Sequence, residues 1–448
     1  MAASSSTASR IFAILRCFFM LCLSFDNVIT VLFAAASAHA EQHGFAAVER
    51  KTLAFVQLRG EPCGSLLGQV KGLSALGAGH VQHALARRGI GVLIEYLACA
   101  GSGTAAHFPL GFECRKIAVN CALNTNDDKE LYHQAALASK AVIDACLANG
   151  VQLGKYSDLW GSNNWQAKEL IYAIRMGAMN AFEYDNYPRG LENGNGGNCP
   201  TQTLVDAYEM KNGKLWNEEG SGYDAQNPYA NRDPRFGMTI AVNGEKKWPS
   251  YNGDALETYY GGKNGEPIVG ATPTGYYLKK YCDGNVNISS VNSTSTPHAW
   301  VVFRLGEFYL DYAEAVFKYL GSADAVSADL PMSAREAVNV IRNREDVKMP
   351  ELAEGLSNDE FWKKYENERM VELAFEDHRF YDVRRWKEGN KLATITEMKI
   401  TKNEDGSFNY TRKVVNRGWN DKMYFFPISK SELLKHTNPE FKQNPGWE

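Results

Sequence analysis

Apolar residues recur at helical spacing in the last third of the chain, between residues that favour helix boundaries. In residues 304–320, Leu305, Phe308 and Tyr312 share one face, and Gly321 is typical of a helix end. Small residues in these segments allow helices to approach closely, namely Ala313, Ala315 and Ala337. The pattern predicts stacked helical hairpins.

Further helices follow from local signals. Residues 333–344 begin with a capping box formed by Ser333 and Glu336, and residues 358–387 form a long helical region that is expected to break near His378. Upstream, acidic residues at 127–130 and Gly150 bound another predicted helix. The period of residues 168–179 fits a strand or a short helix equally well.

The composition changes near residue 126. All nine Trp and 21 of the 22 Tyr lie after it, the exception being Tyr96. We therefore divide the chain into residues 1–40, 41–121 and 122–448, with a loop-rich region at 185–300 and a helical part at 301–448. Two interpretations of residues 41–121 stay open: a small helical subdomain, or a poorly ordered, misread or fused segment.

Residues 1–40 resemble a cleaved signal. Arg10 and Arg16 precede an apolar run, and the stretch ends in the small-x-small pattern Ala38-His39-Ala40. Arg16, Asp26 and Asn27 would lie inside a single membrane-spanning helix, where each charge costs about 2.5–3.5 kcal/mol. A signal peptide is therefore favoured over a transmembrane helix.

Charge and cysteine usage exclude several classes of function. The formal net charge of −4 gives no basic surface for nucleic acid. Nine cysteines without paired metal-ligand spacing predict free buried thiols, and histidines such as His107, His298 and His378 lie singly. We expect no metal site and no cofactor.

The region 185–300 combines frequent glycines with aromatic residues. Rings on loops are better placed for ligands than rings on a helix face, where core packing is the usual role. A flat ring offers an apolar face to sugar C–H groups, and the tyrosine hydroxyl adds a hydrogen bond. The predicted ligand-binding residues are Trp248, Tyr251, Tyr259 and Tyr260. Trp160 and Trp165 are weaker candidates.

Two polar clusters have competing interpretations. Glu368 and Glu372 lie one helical turn apart, a spacing that overlaps the acid pairs of glycoside hydrolases. Arginines on the same helix favour instead a charge network that holds helices in register. Residues 231–235 form a polar turn in which Arg232 and Arg235 either meet a charged ligand or lock the loop. We expect no catalytic residue.

Five ordered stretches resemble the SusD/RagB nutrient-uptake proteins over residues 122–448. They are Pro200–Met210; Asn227–Tyr229 with Asn231–Phe236; Arg304–Ala315; Glu368–Glu376 with His378–Trp386; and Phe426–Ile428 with Gln443–Trp447. Members usually carry a lipoprotein cysteine after a small residue, whereas Cys22 follows Leu21, so lipid anchoring is left open.

This resemblance implies a mainly α fold of four tetratricopeptide-like helix pairs, with few short strands and a loop-rich ligand-binding region. It further implies non-catalytic capture of oligosaccharides such as starch fragments, or of peptides, at the outer membrane of Bacteroidota. The implied partner is a SusC-like TonB-dependent transporter. The alternatives are a helical scaffold subunit without its own ligand, and a glycoside hydrolase.

Overall fold

A computed structural model describes residues 128–435, 437 and 441–448; the signal-like segment and residues 41–121 lie outside the described residues. The helices are α1 Lys129–Ala148, α2 Ala181–Asn186, α3 Gln202–Ala207, α4 Pro234–Thr239, α5 Leu305–Leu320, α6 Ala334–Arg342, α7 Asn358–Glu372, α8 His378–Arg385 and α9 Lys430–Leu433. The strands are β1 Leu170–Met179, β2 Ile240–Ala241, β3 Tyr277–Leu278, β4 Thr296–Arg304, β5 Thr394–Lys402 and β6 Phe408–Asn416. Helices thus supply most of the regular structure in the described part, as the sequence predicts.

The described residues fall into two units, one of residues 128–424 and one within residues 425–448. Elements α1 to β6 belong to the first unit, and α9 belongs to the second. In the second unit, Asn444 Nδ2 donates to the Phe426 carbonyl at 2.6 Å and Gln443 Nε2 donates to the Ile428 carbonyl at 2.8 Å. The Phe426–Ile428 and Gln443–Trp447 stretches are therefore joined by amide hydrogen bonds.

Helix α5 is the centre of the first unit. It is buried on nearly all sides, and it packs against α1 and α6. A helix that is enclosed in this way belongs to the core. It ends at Gly321, whose φ of 76° is readily adopted only by glycine, as the stop signal predicts. The predicted hairpin packing is confirmed by these contacts.

Local capping sets the starts of α1, α6 and α7. Asp128 accepts hydrogen bonds from the first-turn amides of α1. Reciprocal capping boxes join Ser333 with Glu336 and Ser357 with Glu360. The side chains thereby satisfy amides that have no partner within the helix.

The predicted break near His378 falls between α7 and α8. Phe375 and Asp377 adopt φ values of 61° and 67°, which end the helical path. The carbonyl of Glu372 accepts a hydrogen bond from Arg304 Nη2 at 2.9 Å, and that of Ala374 accepts one from Lys280 Nζ at 2.6 Å. Cationic donors therefore satisfy the carbonyls that the broken helix leaves open.

Residues 168–179, ambiguous in the sequence, form strand β1. It pairs antiparallel with β4, for example Ala173 with Val301. Strands β5 and β6 form a hairpin in regular register, from Thr394 opposite Asn416 to Lys402 opposite Phe408. The pairing with a strand far along the chain decides the conformation of β1, which its own period leaves open.

The hairpin has a buried face and a solvent face. Met398 and Ile400 are buried and pack in a cluster with Leu204, Tyr208 and Phe236. Since side chains alternate across a strand, Lys399 and Thr401 point to the other face. The same strand therefore anchors the core and presents polar groups to solvent.

Candidate functional site

The carboxylates of Glu368 and Glu372 are enclosed in a buried cluster of arginines. Glu372 Oε1 accepts from Arg304 at 2.8 Å and Arg344 at 2.9 Å, while its Oε2 accepts from Arg235 at 2.8 Å. Glu368 accepts from Arg235 at 2.6 Å and from Arg342 at 2.7 Å. Each oxygen of both carboxylates therefore accepts from at least one arginine.

The electrostatics of this cluster do not suit acid catalysis. Burial by itself would raise the pKa of Glu372, but the charges of Arg344, Arg304 and Arg235 outweigh it and hold the pKa well below its ordinary value. The same balance, with Arg235 and Arg342, lowers the pKa of Glu368. Because a general acid needs a raised pKa, the arrangement supports the structural interpretation of this pair.

The partners differ from those expected on the same helix. Arg369 contacts Asp382 at 2.7 Å and Asp311 at 2.8 Å, so it joins α7 to α8 and α5 rather than contacting the two glutamates. Glu169, which sequence reasoning missed, accepts from both Arg304 and Arg344. The cluster ties β4, α4, α6 and α7 to Glu169, the residue directly before β1. No local sequence signal identifies Glu169, because its partners lie 135 and 175 residues away.

The polar turn at 231–235 locks the loop region. Arg232 is 4% exposed and donates to the carbonyls of Tyr208, Pro228 and Val205. Arg235 is fully buried and contacts Asp233, which also caps α4. Neither guanidinium is available to a ligand in this arrangement.

Glu366 has a raised pKa, which makes it a further candidate for function. Burial raises its pKa to about 7, and a hydrogen bond with Glu388 raises it as well. Lys391 Nζ lies 2.7 Å from Glu366 and 2.6 Å from Glu388. The three groups join α7 to the turn Gly389–Leu392, so we assign them a structural role.

Replacing Glu366 with Gln is expected to stabilise the protein at pH 8 by about 1 kcal/mol. The folded-state pKa of about 7 exceeds the usual value of 4.5, so the contribution of Glu366 is greatest below pH 4.5 and is lost as the pH rises through 7. Urea unfolding at pH 5 and pH 8 measures the difference. The exposed Glu351→Gln is the control, and an equal effect of Glu366→Gln at both pH values would contradict the assignment.

The structure separates the four predicted ligand-binding residues into two places. Trp248 is only 6% exposed and packs edge-on against Tyr187, with a centroid distance of 5.5 Å. Tyr251 is half-buried and stacks on the same Tyr187 ring at 6.1 Å. Trp248 therefore stabilises the loops from inside, and its ring has no open face for a sugar.

Tyr259 and Tyr260 lie beside the β5–β6 hairpin. The ring of Tyr259 packs on Phe408 at 5.3 Å and is half-buried. Tyr260 is 64% exposed, and its amide donates to the Ile400 carbonyl at 2.8 Å. This backbone bond fixes the ring of Tyr260 next to the solvent face of β5.

An open hollow of about 130 Å³ lies beside Tyr260. Residues 398–401 of β5 form one wall, and Thr258, Glu266, Thr272, Pro273 and Gly275 form the others. Met398 N donates to the Thr274 carbonyl at 3.0 Å, which holds the loop against the strand. Gly275, with a φ of +86°, permits this approach, since a Cβ there would lie 2.6 Å from the Met398 carbonyl oxygen. We call this feature the Tyr260 hollow.

The weaker aromatic candidates have cationic neighbours. Lys280 Nζ lies 3.9 Å from the centre of the Trp160 ring, and Tyr281 packs edge-on against it at 4.6 Å. The guanidinium of Arg175 lies 4.1 Å from the centre of the Trp165 ring. These contacts account for both tryptophans as packing residues.

Across residues 128–435, 437 and 441–448, His, Cys, Asp and Glu form no group suited to a metal ion. In that same part of the chain, every helix is too short or too polar to cross a bilayer. Cys146 is a free buried thiol, and burial raises its pKa to about 12, so it stays protonated.

Comparison with known proteins identifies the family. The SusD family model matches residues 159–447. A SusD-like protein P2 from Formosa agariphila is 29% identical over 162 residues, which are 35% of this chain and 27% of that protein. The match thus spans about a quarter of that relative's length.

Two solved structures share the fold. A SusD-like protein from Bacteroides fragilis is 26% identical with a TM-score of 0.60, and the match covers 80% of this chain and 70% of that one. A SusD-like carbohydrate binding protein from the same species is 20% identical with a TM-score of 0.52, covering 77% and 69%. The family model accounts for the greater part of the sequence and the fold agrees with it, so this chain belongs to the SusD family.

Proposed function

We propose that this protein captures oligosaccharides at the outer surface of the outer membrane and passes them to a SusC-type TonB-dependent transporter. The observation that carries the proposal is the exposed ring of Tyr260 beside an open hollow. The ring offers an apolar face to a sugar, and the exposed Thr401 places a hydroxyl group at the hollow. The name of one solved relative, a carbohydrate binding protein, is consistent with this role.

The proposed capture is non-catalytic. The two carboxylates at hydrolase-like spacing, Glu368 and Glu372, are 1% and 0% exposed and are held ionised by arginines. A substrate would have to displace those arginines to reach them. Binding without turnover is therefore the function that this chain supports best.

Two alternatives make different predictions. A peptide-binding protein would bind a pool of tryptic peptides and no sugar. A pure scaffold subunit would bind neither, yet would form a stable complex with the transporter barrel.

Replacing Tyr260 with Ala is expected to weaken oligosaccharide binding about tenfold. Removal of the ring takes away an anchor at the centre of the contact, and a factor of ten corresponds to about 1.4 kcal/mol. Isothermal titration calorimetry against maltohexaose, cellohexaose, xylohexaose, laminarihexaose and mannohexaose measures the affinities of both proteins.

Tyr381→Ala is the matched control, because Tyr381 is also an exposed tyrosine, 39% accessible, but lies on α8. The oligosaccharide affinities of Tyr381→Ala should lie within a factor of two of the wild-type affinities. Equal affinities of the Tyr260 variant and the wild type would show that the hollow is not the oligosaccharide-binding site.

A further inference from the structure

The Tyr260 hollow has two formally charged lining residues, Glu266 and Lys399. They pair with each other, since Lys399 Nζ lies 3.0 Å from Glu266 Oε2. The other side chains in the hollow are neutral: hydroxyls of threonines, the ring of Tyr260, Pro273 and Met398. The charges that line the hollow therefore sum to zero.

The ammonium group of Lys399 is surrounded by oxygens of the protein. It donates to Glu266 Oε2 at 3.0 Å and to the Pro273 carbonyl at 2.9 Å, which uses two of its three N–H donors. Glu397 Oε2 lies 3.6 Å away, within ion-pair distance. An anionic ligand that reaches Lys399 would therefore also approach the carboxylates of Glu266 and Glu397.

The next cation along the strand is directed elsewhere. Lys402 Nζ lies 5.3 Å from the centre of the Tyr259 ring, and Lys402 is not among the residues that line the hollow. Its ammonium group is held over that ring and is not part of the wall that a ligand in the hollow would contact.

We infer that the Glu266–Lys399 ion pair makes the Tyr260 hollow selective for uncharged sugars over acidic sugars. This inference rests on the proposed function. The carboxylate of an acidic sugar would face Glu266 while Lys399 is already engaged, and two like charges about 4 Å apart in water cost about 1 kcal/mol. An uncharged sugar avoids that repulsion and exchanges hydroxyl hydrogen bonds with Thr401, the exposed threonine of the hollow. Selectivity then comes from an element that repels the wrong ligand.

The test uses pairs of oligosaccharides that differ only in a hydroxymethyl or a carboxylate at C6. Cellotetraose is compared with the tetramer of β-1,4-glucuronate, and β-1,4-mannotetraose with the tetramer of β-1,4-mannuronate. In whichever pair binds, calorimetry on the wild-type full chain should give at least a fivefold higher affinity for the uncharged member than for the acidic member. A fivefold ratio of affinities corresponds to about 1 kcal/mol.

Two substitutions then alter the ion pair in opposite directions. Glu266→Gln removes the repelling carboxylate and releases one donor of Lys399. The affinity for the acidic member should therefore rise about tenfold, while the affinity for the uncharged member should change less than threefold. Lys399→Met leaves Glu266 unpaired, so the preference for the uncharged member should increase. Glu245→Gln is the matched control, because Glu245 forms a similar half-exposed ion pair with Lys279 at 3.0 Å outside the hollow.

The outcomes separate this inference from the proposed function. If the wild type binds the acidic member as tightly as the uncharged member or more tightly, and Tyr260→Ala abolishes that binding, the selectivity is overturned. Capture of oligosaccharides at the hollow would still be supported. An unchanged preference in both Glu266→Gln and Lys399→Met overturns the role of the ion pair. Binding of none of these tetramers and none of the five hexaoses, or binding that Tyr260→Ala leaves intact, overturns the proposed function and the inference with it.

Discussion

Replacing Glu372 with Gln should lower the free energy of unfolding by about 3 kcal/mol. Breaking a buried ion pair costs about 3–5 kcal/mol, because the remaining charge stays buried without its partner. Arg304, Arg344 and Arg235 all donate to Glu372 at 2.8–2.9 Å, and the neutral amide cannot balance them. Other carboxylates retain some contact with each arginine, which places the loss at the lower end of that range.

Urea unfolding at pH 7 measures this loss, with Glu354→Gln as the control. Glu354 makes the same kind of ion pair, to Arg335 at 3.1 Å, but its side chain is 83% exposed. The control should change stability by no more than about 1 kcal/mol. A loss below about 1 kcal/mol in Glu372→Gln would show that the cluster does not stabilise the fold.

The same variant also tests the hydrolase alternative. An acid or nucleophile at position 372 would make sugar release disappear in Glu372→Gln. A capture protein instead shows no sugar release in either form. Product that the wild type generates and the variant does not would restore the catalytic interpretation.

Replacing Gly306 with Ala should destabilise the protein by about 2–3 kcal/mol. A Cβ at this position would lie 2.6 Å from Arg344 Nη2 and 2.7 Å from both Arg304 Nη1 and Glu169 Oε1. These atoms are held by several charged hydrogen bonds, so they cannot withdraw without breaking the cluster. A single methyl group therefore disturbs the same network from the side of α5.

Gly237→Ala is the matched control for this substitution. Gly237 also lies in a helix, α4, but a Cβ there would meet no atom within 4 Å. Alanine is the better helix former, so the control should be neutral or stabilising by up to about 1 kcal/mol. Thermal and urea unfolding compare the two variants, and similar results for both would contradict the predicted clash.

Helix positions could be predicted from the sequence because their causes are local. The capping box of Ser333 with Glu336, the stop at Gly321 and the helical spacing of residues 305–317 each involve neighbours within a few positions. The structure reproduces them. The break between α7 and α8 was predicted only approximately, since it depends on Lys280 and Arg304, which are distant in the sequence.

Long-range pairings could not be predicted. Strand β1 is fixed by β4, more than a hundred residues away, and Glu372 meets arginines from three separate elements. The hairpin β5–β6, which carries Lys399, was missed, although residues 397–401 alternate polar and apolar side chains as a strand does.

The sequence by itself determined the family and the helical framework, because family motifs and helix caps depend on residues that are close together in the sequence. Only the tertiary structure decided which aromatic rings are open. Trp248 and Tyr260 both lie on glycine-spaced loops, yet one packs against Tyr187 and the other is exposed beside β5. Burial depends on which distant segments cover a side chain, and no local pattern of residues contains that information.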